Sequence, residues 1–180
     1  MPSTPPLVTD SDLEAGSEEL RSFTDALRAR RGGQLLNLDR MLLHSLPFAR
    51  GWGALLSAVR NELDLPPRLR ELVICRVARL TGADYEYRLH SRLLLEMGVS
   101  EAQLAALDDP HTSEAYFEES EHLALSLATE MTCHVRVDPA LRSRLLDHFG
   151  ESGLVELTGL IATYNLVARF LIALDVQPEV

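Results

Sequence analysis

The chain has two cysteines in 180 residues, Cys75 and Cys133, with no short paired spacing, so neither a disulfide framework nor a zinc knuckle can be built from them. Basic residues are also scarce: 17 Lys and Arg face 27 Asp and Glu, giving a formal charge of -10. Such a field repels phosphate backbones and anionic lipid, so nucleic acid is not an expected partner. Aromatics make up 6%. No uninterrupted apolar run reaches membrane length, because Glu156, Asn165, Arg169 and Asp175 break the stretch Leu154 to Val176. That stretch reads as a buried helix, and no membrane partner is expected. Residues 1–19 show no basic, apolar and small-residue succession, so no secretory signal is expected there and a cytoplasmic protein is expected. There is no Gly-x-Ser-x-Gly and no phosphate-binding glycine loop.

What is present is an ordinary soluble composition, 46% hydrophobic and 24% charged, in a length that suits one core. Residues 1–16, with Pro2, Pro5 and Pro6, read as a flexible arm, and residues 17–180 as one domain. Apolar residues recur at helical spacing without strand-like alternation, so the expected fold is an all-α single-domain bundle. Helices are predicted over Leu20–Arg30, Gln34–Ser45, Phe48–Glu62, Pro67–Thr81, Asp84–Met97, Glu101–Leu107, Ser113–His134, Pro139–Phe149 and Gly153–Leu174. Pro67 and Pro139 suit a first helical position, where the missing N–H had no partner. Asp138 and Ser100 are N-cap candidates, the latter with Gln103 in a capping box. Gly82, Gly98 and Gly150 supply left-handed stops.

Polar residues on apolar helix faces carry the functional information. Between Asp84 and Met97, the set Asp84, Arg88, Arg92 and Glu96 forms a solvated stripe. Glu86 and His90 fall on the opposite side with Leu93, Leu94 and Met97. A buried carboxylate needs a partner, and at i, i+4 these two can serve each other. One helix earlier, Glu71 lies away from Arg68, Arg76 and Arg79 and is flanked by Ile74, Cys75 and Ala78. The short turn at Gly82 favours an antiparallel pair that brings Glu71 to His90. In the last helix Asn165 and Arg169 share a face. A buried Arg169 would want a carboxylate, from the protein or a ligand; equally, its stem can pack while its head reaches water. The same polar groups also fit a satisfied core or subunit-interface network. Glu119 and His122 make one Glu-x-x-His where a di-iron bundle needs two, so no metal site is expected.

The stretch Leu69–Ser100, LRELVICRVARLTGADYEYRLHSRLLLEMGVS, resembles the core of the carboxymuconolactone decarboxylase and alkylhydroperoxidase D-like superfamily. Its redox-active members carry a Glu, eleven intervening residues, then Cys-x-x-Cys-x-x-x-His across two antiparallel helices. Glu71 matches the Glu and His90 the final His, while Ala83 and Glu86 stand where the two cysteines would be. LLHSLP (Leu42 to Pro47) and LVELTGLIATYNLVARFLIAL (Leu154 to Leu174) extend the resemblance more weakly. It implies a helical bundle packed across subunits as a homo-oligomer (dimer, trimer or hexamer). Dithiol peroxidase chemistry is disfavoured, because neither Ala83 nor Glu86 is a thiol; Cys75, among apolar neighbours, reads as an inert core residue. The resemblance points instead to the branch acting on carboxylated ring compounds. The expected site is free of cofactor and metal: His90, oriented by Glu71, moves a proton while Glu86 sets its charge state. Tyr85, Asn165 and Arg169 are the expected contacts to a small carboxylated substrate. Peroxide reduction through Cys75 and a non-catalytic ligand-binding or assembly role are the alternatives.

Overall fold

A computed structural model describes residues 4–108 and 115–179. Every regular element among them is helical, as the apolar spacing requires: α1 (Asp10–Ala15), α2 (Glu18–Arg30), α3 (Asn37–Leu42), α4 (Leu46–Asn61), α5 (Pro67–Thr81), α6 (Asp84–Glu96), α7 (Glu101–Ala106), α8 (Glu119–Cys133) and α9 (Pro139–Ala173). The chain divides into two compact units, Ser57–Phe170 and the segments on either side of it.

The flanking unit contains an element absent from the sequence reading. Within the segment expected as an arm, Thr9 caps α1 in a capping box with Asp12, and Leu13 is buried against Leu27, Leu35 and Leu43. Helix α3 is shorter than Gln34–Ser45. It starts where Leu36 donates its backbone N–H to Asp39 Oδ2 at 3.0 Å, and the Asp39 carboxylate is held from the other side by Arg31. At the far end of the chain, Gln177 and Glu179 accept hydrogen bonds from Asn37.

The central unit is organised by α5, which packs against both α6 and α8. Leu72 through Ala78 are buried without a break, the pattern of a helix enclosed on all sides. Pro67 occupies the first turn of α5, and Gly82 closes it at φ 74°, a left-handed conformation cheap only for glycine. After Gly82 and Ala83 the chain enters α6, whose acidic first turn, Asp84 and Glu86, complements the positive end of the helix dipole. Asp84, Arg88, Arg92 and Glu96 are exposed, and Glu86, His90 and Leu94 are buried, as the helical spacing predicts; Met97 is exposed, contrary to it.

Another boundary departs from expectation. The proposed start at Ser113 lies outside the described residues, and α8 itself begins at Glu119. Within α9 the two predicted C-terminal helices are divided at Gly150, whose φ of 69° and ψ of -178° are non-helical, so this glycine acts as the expected left-handed stop. Half of the most apolar window of α9 is buried, so a helix apolar and long enough to cross a membrane is here used substantially for packing.

Candidate functional site

Glu71 lies one turn into α5, and Glu86 and His90 lie one turn apart on α6. The Gly82 turn sets the two helices side by side, and the three side chains meet. His90 Nδ1 is 2.5 Å from Glu71 Oε2, a short hydrogen bond between an imidazole and a carboxylate. His90 Nε2 is 3.2 Å from Glu86 Oε2, close enough for charge pairing but off the hydrogen-bond line, and both atoms remain without a hydrogen bond. The imidazole and the Glu86 carboxylate are 4% and 3% exposed, whereas the Glu71 side chain keeps 16%. Glu71 is therefore the most accessible member of the group.

Burial on its own would lower the His90 pKa, but the hydrogen bond to Glu71 and the contact with Glu86 outweigh it, and the value is raised. The imidazole is poised to hold a proton between two acids.

Glu71 and His90 form part of the wall of a cavity of about 190 Å³, completed on its polar side by Arg60, Arg70 and Tyr164. Its apolar wall is Val59, Ile74, Leu89, Leu93 and Leu160. Tyr164 comes from α9 and sets its ring edge-on to His90, with centroids 5.3 Å apart. Its hydroxyl accepts a hydrogen bond from Arg60 Nε at 3.0 Å. Burial pushes the Tyr164 phenol up to about 12, against the opposing pull of Arg60. Burial likewise opposes the Arg60 charge, but Tyr164, Glu86 and Glu71 outweigh it and hold the guanidinium protonated. Arg70 donates to the Arg60 carbonyl at 2.9 Å.

Sequence reasoning missed Arg60, Arg70 and Tyr164, and it expected three residues that do not line this cavity. Asn165 donates to Thr132 Oγ1 at 2.9 Å and to the Ile161 carbonyl at 3.1 Å. Arg169 is exposed, and its guanidinium turns back onto the side-chain and backbone oxygens of Asn165, satisfying itself on its own helix. Tyr85 is buried, outside the cavity wall. Arg68 pairs with Glu121 across to α8 rather than with Glu71, and Arg76 is buried, donating to the Leu107 carbonyl and to Thr129.

Cys75 is fully buried, and burial together with the negative charges of Glu71 and Glu86 pushes its thiol far above the ordinary range. A thiolate nucleophile is thereby denied. Among the described residues no group of three or more His, Cys, Asp and Glu side chains is arranged to hold a metal ion.

Comparison with known proteins gives a consistent picture. The model of the carboxymuconolactone decarboxylase family matches residues 47–130, which contain Glu71, Glu86, His90, Arg60 and Arg70. The chain is 37% identical over 130 residues to the uncharacterized protein YnjA of Escherichia coli (strain K12), covering 72% of this chain and 68% of that one. Among solved structures, a peroxidase-related protein from Ralstonia eutropha JMP134 with an alkylhydroperoxidase AhpD core superimposes with a TM-score of 0.78 at 16% identity, over 99% of this chain and 94% of the other. The debrominase Bmp8 superimposes with a TM-score of 0.75 at 20% identity, over 96% and 90%. At those identities the structural likeness establishes the fold alone.

Proposed function

The chain belongs to the carboxymuconolactone decarboxylase family, and from that premise we propose that Glu71, His90 and Glu86 form a proton-exchanging centre for lyase-type chemistry on a small carboxylated compound. One observation carries the reading: an imidazole held between two carboxylates sits in the wall of a cavity that also presents two arginines. Glu71, the most exposed of the three, exchanges the proton with the substrate. His90 stores it, and Glu86 stabilises the imidazolium from behind. A positioned acid or base of this kind contributes roughly 10²- to 10⁴-fold to a rate. The arginines supply what acid/base work alone lacks, a fixed place for the substrate's charge.

Dithiol peroxide reduction is not proposed, because Ala83 and Glu86 occupy the two thiol positions and the Cys75 thiol is kept protonated. The test is a panel of small carboxylated lactones and cyclic acids incubated in D2O, followed by NMR for CO2 loss or for deuterium uptake beside the carboxyl or carbonyl. The expected result is turnover that drops about 10²-fold or more in Glu71→Gln and in His90→Gln. Turnover that survives both substitutions, or its absence across the panel in the unmodified chain, removes this function.

A further inference from the structure

The cavity beside His90 contains more donors than acceptors. Arg60 gives Nε to Tyr164, but its two terminal nitrogens have no partner among the described residues. Tyr164 accepts that bond, so its own O–H hydrogen must be donated elsewhere, and no described residue receives it. Arg70 spends one nitrogen on a backbone carbonyl. Tyr164 is 1% exposed, so its hydroxyl cannot turn to bulk water for an acceptor. Unmet donors of this kind, walled by leucine and isoleucine, are complementary to an anion with an apolar body.

The charges around the cavity narrow the anion. With His90 protonated, three cations (Arg60, Arg70 and His90) face two carboxylates, Glu71 and Glu86, leaving one positive charge. One carboxylate neutralises the site; two would leave a second negative charge beside Glu71. Size narrows the body, since a cavity of about 150 Å³ suffices for benzene and this one has about 190 Å³.

Resting on the proton-exchange reading above, we propose that Arg60 and Tyr164 bind the substrate's carboxylate and that the substrate is a monocarboxylate built on a single ring. Arg60 makes the charged contact. Tyr164 adds one hydrogen bond and acts as a positioning residue, fixing the guanidinium by accepting from Nε so that the terminal nitrogens face the ligand. The ring then lies against Ile74, Leu93 and Leu160, within reach of Glu71 and His90.

The test is calorimetric titration of the full chain at pH 6 with benzoate, benzamide and phthalate. Benzoate is expected to bind about ten- to a hundredfold more tightly than its neutral analogue, the range for a hydrogen-bonded charge contact, and more tightly than phthalate. Arg60→Gln is expected to erase the preference for benzoate over benzamide. Arg60→Lys should restore part of it, and Tyr164→Phe should reduce it severalfold without a matching drop in benzamide affinity. Leu93→Trp, which fills the cavity, should abolish binding of both. Equal affinity for benzoate and benzamide in the unmodified chain, phthalate binding as tightly as benzoate, or a preference that survives Arg60→Gln would each overturn the proposal. If Arg60→Gln loses its cooperative melt, the benzoate and benzamide comparison in the unmodified chain and in Tyr164→Phe decides. Glu71→Gln separates this inference from the reading on which it rests: turnover depends on that carboxylate, whereas its removal takes a negative charge from the site and the preference for benzoate persists.

Discussion

Asp39, in the flanking unit, and Glu86, in the central one, are both more than nine-tenths buried, yet their oxygens are treated differently. Asp39 receives Arg31 Nε and Nη2 at 3.1 Å each and the Leu36 N–H at 3.0 Å, so both its oxygens are occupied and the α3 start is fixed. Glu86 leaves Oε2 without a hydrogen bond, opposite a His90 Nε2 that also has none. A buried charge whose hydrogen bonds are complete is part of the scaffold. One left incomplete beside a titrating partner retains unused interaction energy, which a proton or a ligand can claim.

The largest expected effects test that division directly. Asp39→Ala strands Arg31 and the α3 N–H and should cost about 3 kcal/mol in urea unfolding, with turnover per folded molecule unchanged. Glu86→Gln should do the reverse: a stability change under about 1 kcal/mol, because no hydrogen bond to Oε2 is lost, and a fall in turnover of about 10²-fold. If Glu86→Gln unfolds the chain as readily as Asp39→Ala, the two acids are doing the same structural work and the distinction fails.

A smaller effect should appear in the pH dependence of stability. The folded His90 pKa is raised above the ordinary imidazole value of about 6.5. Its contribution is therefore fully present below that value, while the carboxylates carry charge, and is lost as pH rises through the folded value. Unfolding free energy measured from pH 6 upward should decline across this window. Glu86→Gln should shift the decline to lower pH, whereas Asp39→Ala should leave its position unchanged. An NMR titration that finds the His90 pKa below the ordinary value would contradict the pairing.

Which polar residues meet was legible only where chain-local geometry decided it. Glu86 and His90 are one helical turn apart, and Glu71 reaches them across a two-residue turn, so helical spacing and Gly82 were sufficient. Arg60 and Tyr164 are 104 positions apart, and nothing in their local patterns announces that α4 and α9 will bring them to one cavity. Asn165 and Arg169 misled for the opposite reason. Their i, i+4 spacing was read as a shared functional face, but the same spacing lets Arg169 bond back to Asn165. The helix at Asp10–Ala15 was readable from Thr9 and Asp12, a capping pair overlooked among the prolines that precede it.

The smallest expected effect concerns the thiols, and it ties the site's charge to what the site does not do. Cys75 is fully buried, and the two acids that support the His90 imidazolium also oppose a thiolate there; Cys133 is exposed. A disulfide reagent added to the native chain should therefore titrate one thiol rapidly and the second only as fast as the protein opens. Glu86→Gln removes one opposing charge but leaves burial, the larger cause, in place, so the slow phase should accelerate only slightly. Blocking Cys133 should leave turnover intact. A fast second thiol, or turnover lost on alkylation, would mean that Cys75 reaches the cavity as a nucleophile, and the incomplete hydrogen bonding at Glu86 would then serve sulfur chemistry rather than proton transfer.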